Sequence, residues 1–207
     1  MPKRAIAAPM NAPLRKAWTK DEFFSWAEAQ DLRYEFDGFQ PVAMTGGSIN
    51  ASAIGVNLLA SLHSRLRGSG CRPLGPDAGV ETRRVDTSRT AVRYPDALVT
   101  CTKFNGTEKA VPGVVIVFEI VGSTAEANHR DRITKVREYA TVPSIRRYVI
   151  LESSDVGLTG LQRSSPDQIW QTTVLTGEDT LSLPEIGVEI PVTELYDGID
   201  FAELPEG

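Results

Sequence analysis

The sequence predicts an α/β (α+β) fold: a mixed β-sheet flanked by helices, with antiparallel strands toward the C-terminus. Three observations predict it. Residues 114–121 read Val-Val-Ile-Val-Phe-Glu-Ile-Val, a nearly unbroken apolar run of the kind found in strands buried on both faces. A helically spaced set (Ile133, Val136, Ala140) and a second apolar run, Arg147 to Leu151, follow it. That strand–helix–strand order suggests a right-handed crossover between parallel strands. After Glu152 the segments turn short and turn-bounded, as in an antiparallel meander.

The elements follow in order. Residues 1–17, with Pro2, Pro9 and Pro13 among Ala and Lys/Arg, read as a flexible arm before a single domain over 18–207. Thr19-Lys20-Asp21-Glu22 has the capping-box pattern, so a helix is expected over about 20–30. Alternation around Asp37-Gly38 predicts a β-hairpin within 31–45. Ile54, Leu58, Leu62 and Leu66 recur every four residues, giving a helix over about 49–67 that Gly68-Ser69-Gly70 ends. Residues 71–93 are short-stranded, with turns at Gly75-Pro76 and Asp86-Thr87-Ser88, and hold the densest basic stretch (Arg83, Arg84, Arg89, Arg93). Strands over 95–101 and 114–121, a loop over Ser123–Asn128 and a helix over 129–140 come next. Segments 158–163, 168–175 and 180–190 are the meander strands, and a short helix closes the chain near Val192–Tyr196.

Composition narrows the function. The chain has 207 residues, 41% hydrophobic and 24% charged, ordinary for a globular protein. It has no run of about 18 apolar residues that would cross a bilayer, and no signal-like start. Cys71 and Cys101 lie outside any C-x-x-C pattern, which predicts reduced thiols and a cytoplasmic setting. The net charge is -5, but residues 1–150 carry 21 Lys+Arg against 15 Asp+Glu, whereas 151–207 carry one against 12. A basic part holding the candidate site permits contact with nucleic acid.

That site rests on two carboxylates and a lysine. Asp96 opens a strand after Tyr94-Pro95, and Glu119 sits inside the apolar run. An ionised Glu there costs several kcal/mol, of the order seen for buried charges, unless it is paired. With side chains alternating along strands about 4.8 Å apart, Asp96 (with Leu98) and Glu119 (with Val117 and Val121) can reach a common ion. Mg²⁺, or Mn²⁺, suits such oxygen ligands. Lys135 on the next helix could orient a water or offset developing charge, and burial would lower its pKa. Each residue has a plainer reading. Pro-Asp is commonly a turn, Glu119 could pair with an arginine, and Asp131 and Lys135 at i, i+4 read as a surface ion pair. His63 reads as surface, His129 as a solvated helix start, Tyr139 as core.

Together these residues resemble the Uma2-type endonucleases of the PD-(D/E)XK restriction-endonuclease-like superfamily. The matching pieces are Tyr34-Glu35 with Asp37-Gly38, Asn57-Leu58-Leu59, Tyr94-Pro95-Asp96, Val117 to Val121, Asp131…Lys135…Tyr139, and Val142 to Tyr148. The resemblance implies that Asp96 and Glu119 are metal ligands with the carbonyl of Ile120 a third. Lys135 matches a lysine moved from the superfamily's usual place, here Val121, to the following helix. Glu35 matches an acidic residue near the N-terminus that joins the site. The chain departs at Ala51, where relatives often have His, and at Gly122, where they usually have Ser. The expected function is a metal-dependent endonuclease acting on nucleic acid, DNA first, as a homodimer. The alternative is a catalytically weak or inactive module of the same fold that binds nucleic acid or a partner protein.

Overall fold

A computed structural model describes residues 16–44, 46–122 and 130–201. The Ser123–Asn128 loop, His129 and nearly all of the predicted arm lie outside the described residues. Helix α1 (Lys20–Ala27) starts on the predicted capping box: the Glu22 N–H donates to Thr19 Oγ1 (3.1 Å), and the Thr19 N–H donates to the Glu22 carboxylate (2.7 Å). Strands β1 (Tyr34–Phe36) and β2 (Pro41–Ala43) form the hairpin. Asp37 accepts the N–H groups of Phe39 and Gln40 in its turn, and Gly38 takes a φ of +90°. With β4 (Val80–Arg83) and β5 (Thr90–Arg93) the hairpin makes a four-stranded sheet, β2-β1-β5-β4. Phe23 of α1 packs on it against Phe36 and Val92.

The main sheet has six strands in the order β10-β9-β8-β7-β6-β3. They are β3 (Arg72–Leu74), β6 (Ala97–Thr100), β7 (Val114–Val121), β8 (Arg147–Glu152), β9 (Gly157–Gln162) and β10 (Gln171–Thr176). Within it β7 and β8 run parallel, as the intervening helix predicts; every other neighbour pair is antiparallel. Helix α2 (Ile49–Arg65), capped by Ser48, lays Ile54, Leu58 and Leu62 on one face of this sheet against Ala97, Val99, Ile116 and Phe118. The opposite face carries Leu98, Val117, Val121, Tyr148 and Ile150, covered by Tyr139. From Ile116 onward, alternation along β7 thus sends even-numbered residues to α2 and odd-numbered ones to the helix between β7 and β8, while the bulge opposite Val99 and Thr100 reverses this for Val114 and Val115.

That helix differs from expectation. Arg130–Thr134 is a π-helical turn, and α3 (Lys135–Ala140) continues it as an α-helix. The segment 180–190 also departs from the meander. Pro184 interrupts it and Gly187 takes a φ of +66°, so β11 (Thr180–Leu183) and β12 (Val188–Pro191) fold into a hairpin of their own. Leu181, Leu183, Val188 and Ile190 join the α2-side core, and α4 (Val192–Leu195) follows. Asn57 of α2 donates to the carbonyls of Leu195 and Asp197, fastening the C-terminal region.

The expectation of reduced cysteines is corrected: Cys71 and Cys101 are joined by a disulfide, their Cα atoms 3.9 Å apart. The antiparallel register Arg72↔Thr100 sets the two residues opposite each other, a juxtaposition that their separation of 30 residues in sequence does not reveal. Among the described residues no helix is long and apolar enough to cross a membrane.

Candidate active site

Glu119 shares its face of β7 with Val117 and Val121, so its carboxylate points under α3, where it is 4% exposed. There Glu119 Oε1 accepts from Lys135 Nζ (2.8 Å) and from the Tyr139 hydroxyl (2.8 Å). Lys135 and Tyr139 are one helical turn apart and so meet the same carboxylate. The register Ala97↔Phe118, continued by one residue, sets Asp96 opposite Glu119. Asp96 Oδ2 accepts the N–H of Ile120 at 2.7 Å, which pins the carboxylate beside β7. The Ile120 side chain turns the other way, into the α2-side core near Gly55.

Lys135 is 2% exposed, and two further carboxylates reach its ammonium: Asp131 Oδ1 at 3.1 Å and Glu35 Oε1 at 3.5 Å. The i, i+4 pair expected at the surface is therefore buried. Glu35 is 2% exposed on β1 and also lies 3.2 Å from Arg93 Nη1. Arg93 in turn donates two hydrogen bonds to Glu138 of α3, at 2.6 and 2.8 Å. Arg130 Nε lies 3.5 Å from Asp131 Oδ1. Asp96, Glu119, Lys135 and Glu35 thus stand in one cluster, which also takes in Asp131, Tyr139, Arg93 and Glu138.

Its charges are unevenly satisfied. Burial pushes the Glu119 carboxyl up to about 8; Lys135 opposes this, while Asp96, Asp131 and Glu35 add to it. Burial likewise raises Asp96, against the N–H of Ile120. For Glu35, burial is outweighed by Lys135 and Arg93 together, and its carboxyl is held below the usual range. Lys135 corrects an expectation. Burial works to lower its pKa, but Glu119, Glu35 and Asp131 outweigh it and raise it, so the amine stays an ammonium.

Four of these groups were not assigned to the site from the sequence. Asp131 carried a signal in its spacing from Lys135, but spacing cannot tell a buried pair from an exposed one. Tyr139, taken as core, is fully buried yet spends its hydroxyl on Glu119. Arg93 and Glu138 are unmarked among many charged residues, and only the fold brings them together. His63 is exposed, as expected.

Among the described residues no three Asp, Glu, His or Cys side chains form a ready-made metal cage. The donors fit a divalent ion that needs fewer. Asp96 and Glu119 are hard oxygen ligands on facing strands, and Mg²⁺ is content with one or two carboxylates plus water. The charge fits as well. With every group ionised, as a bound cation would require, five carboxylates (Glu35, Asp96, Glu119, Asp131, Glu138) meet three cations (Arg93, Arg130, Lys135), an excess of two negative charges. At the departures, Ala51 lies in the first turn of α2, one turn before Gly55, and a Cβ on Gly122 would meet no atom of the described residues within 4 Å.

A model of the Uma2 family, described as "Putative restriction endonuclease", matches residues 20–193. An uncharacterized protein, slr1290, of Synechocystis sp. is 29% identical over 197 residues, covering 95% of this chain and all of its own. Among solved structures, the crystal structure titled as a "putative nuclease belonging to DUF820" from Anabaena variabilis superposes with a TM-score of 0.62 at 12% identity. The match covers 86% of this chain and 97% of that one, and at such identity it speaks for the fold.

Proposed function

The chain belongs to the Uma2 family of restriction-endonuclease-like proteins, and from that premise we propose that it is a Mg²⁺- or Mn²⁺-dependent endonuclease hydrolysing the phosphodiester bonds of DNA. The observation that carries the reading is Glu119. It is a carboxylate buried in the central strand, opposite Asp96 and tied to the ammonium of Lys135 at 2.8 Å. A cluster with more carboxylates than cations is an expensive thing to bury. It is well suited to a divalent ion and to a substrate that brings its own phosphate oxygens.

Asp96, Glu119 and the main-chain carbonyl of Ile120 would hold the ion. When bound it supplies Lewis-acid polarisation of a phosphoryl oxygen and a more acidic water. Lys135, held as an ammonium by Glu119, Glu35 and Asp131, is not the base that takes the proton of the attacking water. Its part is to orient that water and to offset charge that develops on the phosphoryl group. Asp131 and Glu35 hold the ammonium from two sides, and the Tyr139 hydroxyl fixes the Glu119 carboxylate, so the donors are set before substrate arrives. Cutting both strands of a duplex calls for two such sites, which a homodimer would supply.

The test is Mn²⁺ binding by calorimetry, followed by cleavage of plasmid and single-stranded DNA. Wild type is expected to bind and Asp96→Asn to lose binding. Metal binding untouched in both Asp96→Asn and Glu119→Gln would remove this site. Metal-independent binding of DNA without cleavage would move the protein to a binding module of the same fold.

A further inference from the structure

Around the carboxylate cluster nearly every cation is spoken for. Lys135 has three carboxylates within 3.5 Å. Arg93 is divided between Glu138 and Glu35. Arg132 is tied to Glu152, and Arg33 to Asp77 and the carbonyl of Pro76. Arg130 stands apart. Its Nε is shielded from solvent and has no hydrogen-bond partner among the described residues, although Asp131 Oδ1 lies 3.5 Å away. Asp131 Oδ1 is itself without a bond of hydrogen-bonding geometry among those residues. The Arg130 side chain is nevertheless 43% exposed, against 3% for Lys135 on the same helical segment. Its guanidinium therefore sits at the border between the cluster and solvent. It is near enough for its charge to be felt at Glu35, and Glu35 and Glu119 act on it in return.

Beyond its long contact with Asp131, the Arg130 Nε–H is unmet among the described residues. Leaving a buried donor without a partner is costly, and a ligand oxygen can complete it. A guanidinium offers a planar fork that matches two oxygens of a phosphate. Its positive charge excludes a metal ion as that ligand, and among the described residues Asp131 is the one carboxylate in ion-pairing reach of it. We propose that Arg130 is the phosphate-binding residue of this site, its guanidinium receiving the non-bridging oxygens of a backbone phosphate of the nucleic acid. The assignment rests on the nuclease reading above. It gives the segment leading into α3 two roles, since the turn that carries Asp131 inward, to Lys135, presents Arg130 outward, to the substrate. A π-helical turn, which recurs at functional sites, is a fitting place for such a division.

The experiment uses a fluorescein-labelled DNA duplex and the matching single strand, titrated by anisotropy with Ca²⁺ present across a series of salt concentrations. Arg130→Gln is expected to weaken binding roughly tenfold and to lower the slope of log affinity against log salt by about one. Arg130→Lys should keep the slope while losing part of the affinity. Arg132→Gln removes the same charge two residues away, from a residue committed to Glu152, and should leave both nearly unchanged. Mn²⁺ affinity measured in parallel should not fall in Arg130→Gln, which separates a lost phosphate contact from a damaged site. Binding by Arg130→Gln equal to wild type overturns the assignment, and so does an equal loss in Arg132→Gln. Wild type that binds neither DNA form overturns the DNA-cleaving reading on which the assignment rests.

Discussion

Glu119 is held in a state that a metal must change. Its carboxyl is lifted by burial from the ordinary value of 4.5 to about 8, because Lys135 does not offset that burial, to which three neighbouring carboxylates add. Between those two values the folded protein holds a proton that the unfolded chain has released. The stability this group contributes is therefore complete below about 4.5 and is lost as pH rises through about 8. Glu35, held below its usual range, runs the other way, its contribution fading as pH falls. A divalent ion takes only the ionised form of Glu119. Mn²⁺ binding at pH 7 should accordingly release about one proton, seen as a dependence of the binding heat on buffer ionisation enthalpy, and affinity should climb until about pH 8. A pH-independent affinity between pH 6 and 8 would contradict that. Lys135→Met takes the shared cation from three buried carboxylates. It should cost about 3–5 kcal/mol in urea unfolding, partly recovered on adding Mn²⁺.

Among the elements, β1, β5 and α3 are joined through Arg93, whose guanidinium bridges Glu35 on one strand and Glu138 on the helix. This ties the four-stranded sheet to the helix covering the six-stranded one, and it holds Glu35 against Lys135. Arg93→Met should destabilise the fold by about 3–5 kcal/mol, since two buried carboxylates lose their partner. Adding Glu138→Leu should recover part of this, and a double-mutant cycle read by denaturation gives the coupling. Additive losses would mean the pair is not coupled. The bridge was illegible in the sequence, where Arg93 is one of four arginines in a basic stretch, whereas the strands and helices that carry it were plain. Apolar runs, the capping box and the Asp-Gly turn depend on residues close in sequence, and all three formed as expected. Strand alternation is local geometry too, and the register sets Asp96 opposite Glu119. The burial of Asp131 with Lys135, the π-helical turn and the 180–190 hairpin depend on what packs across from them, which spacing alone does not encode.

At the scale of the molecule, the six-stranded sheet has two edges with different protection. β10 is an edge with no further strand beside it among the described residues, while β3 is short, contains Pro73 and is fastened to β6 by the Cys71–Cys101 bond. The bond and the candidate site lie at opposite ends of β6: Cys101 follows its last residue and Asp96 precedes its first. Asp96 is nonetheless fixed by the N–H of Ile120 on β7, on the side of β6 away from β3. Stability and metal binding should therefore separate. The bond closes a loop spanning 30 residues of sequence, for which the chain-entropy estimate is about 3–4 kcal/mol. Reduction, or replacing both cysteines with serine, should lower unfolding stability by roughly that amount, while Mn²⁺ affinity stays within a factor of about two of wild type. Thiol titration of unreduced, denatured protein is the check on the premise: no free thiol is expected, and two would mean the bond is not formed. A large fall in Mn²⁺ affinity on reduction would show instead that the edge strand sets the position of Asp96 through β6, and the site would then depend on the redox state of its surroundings.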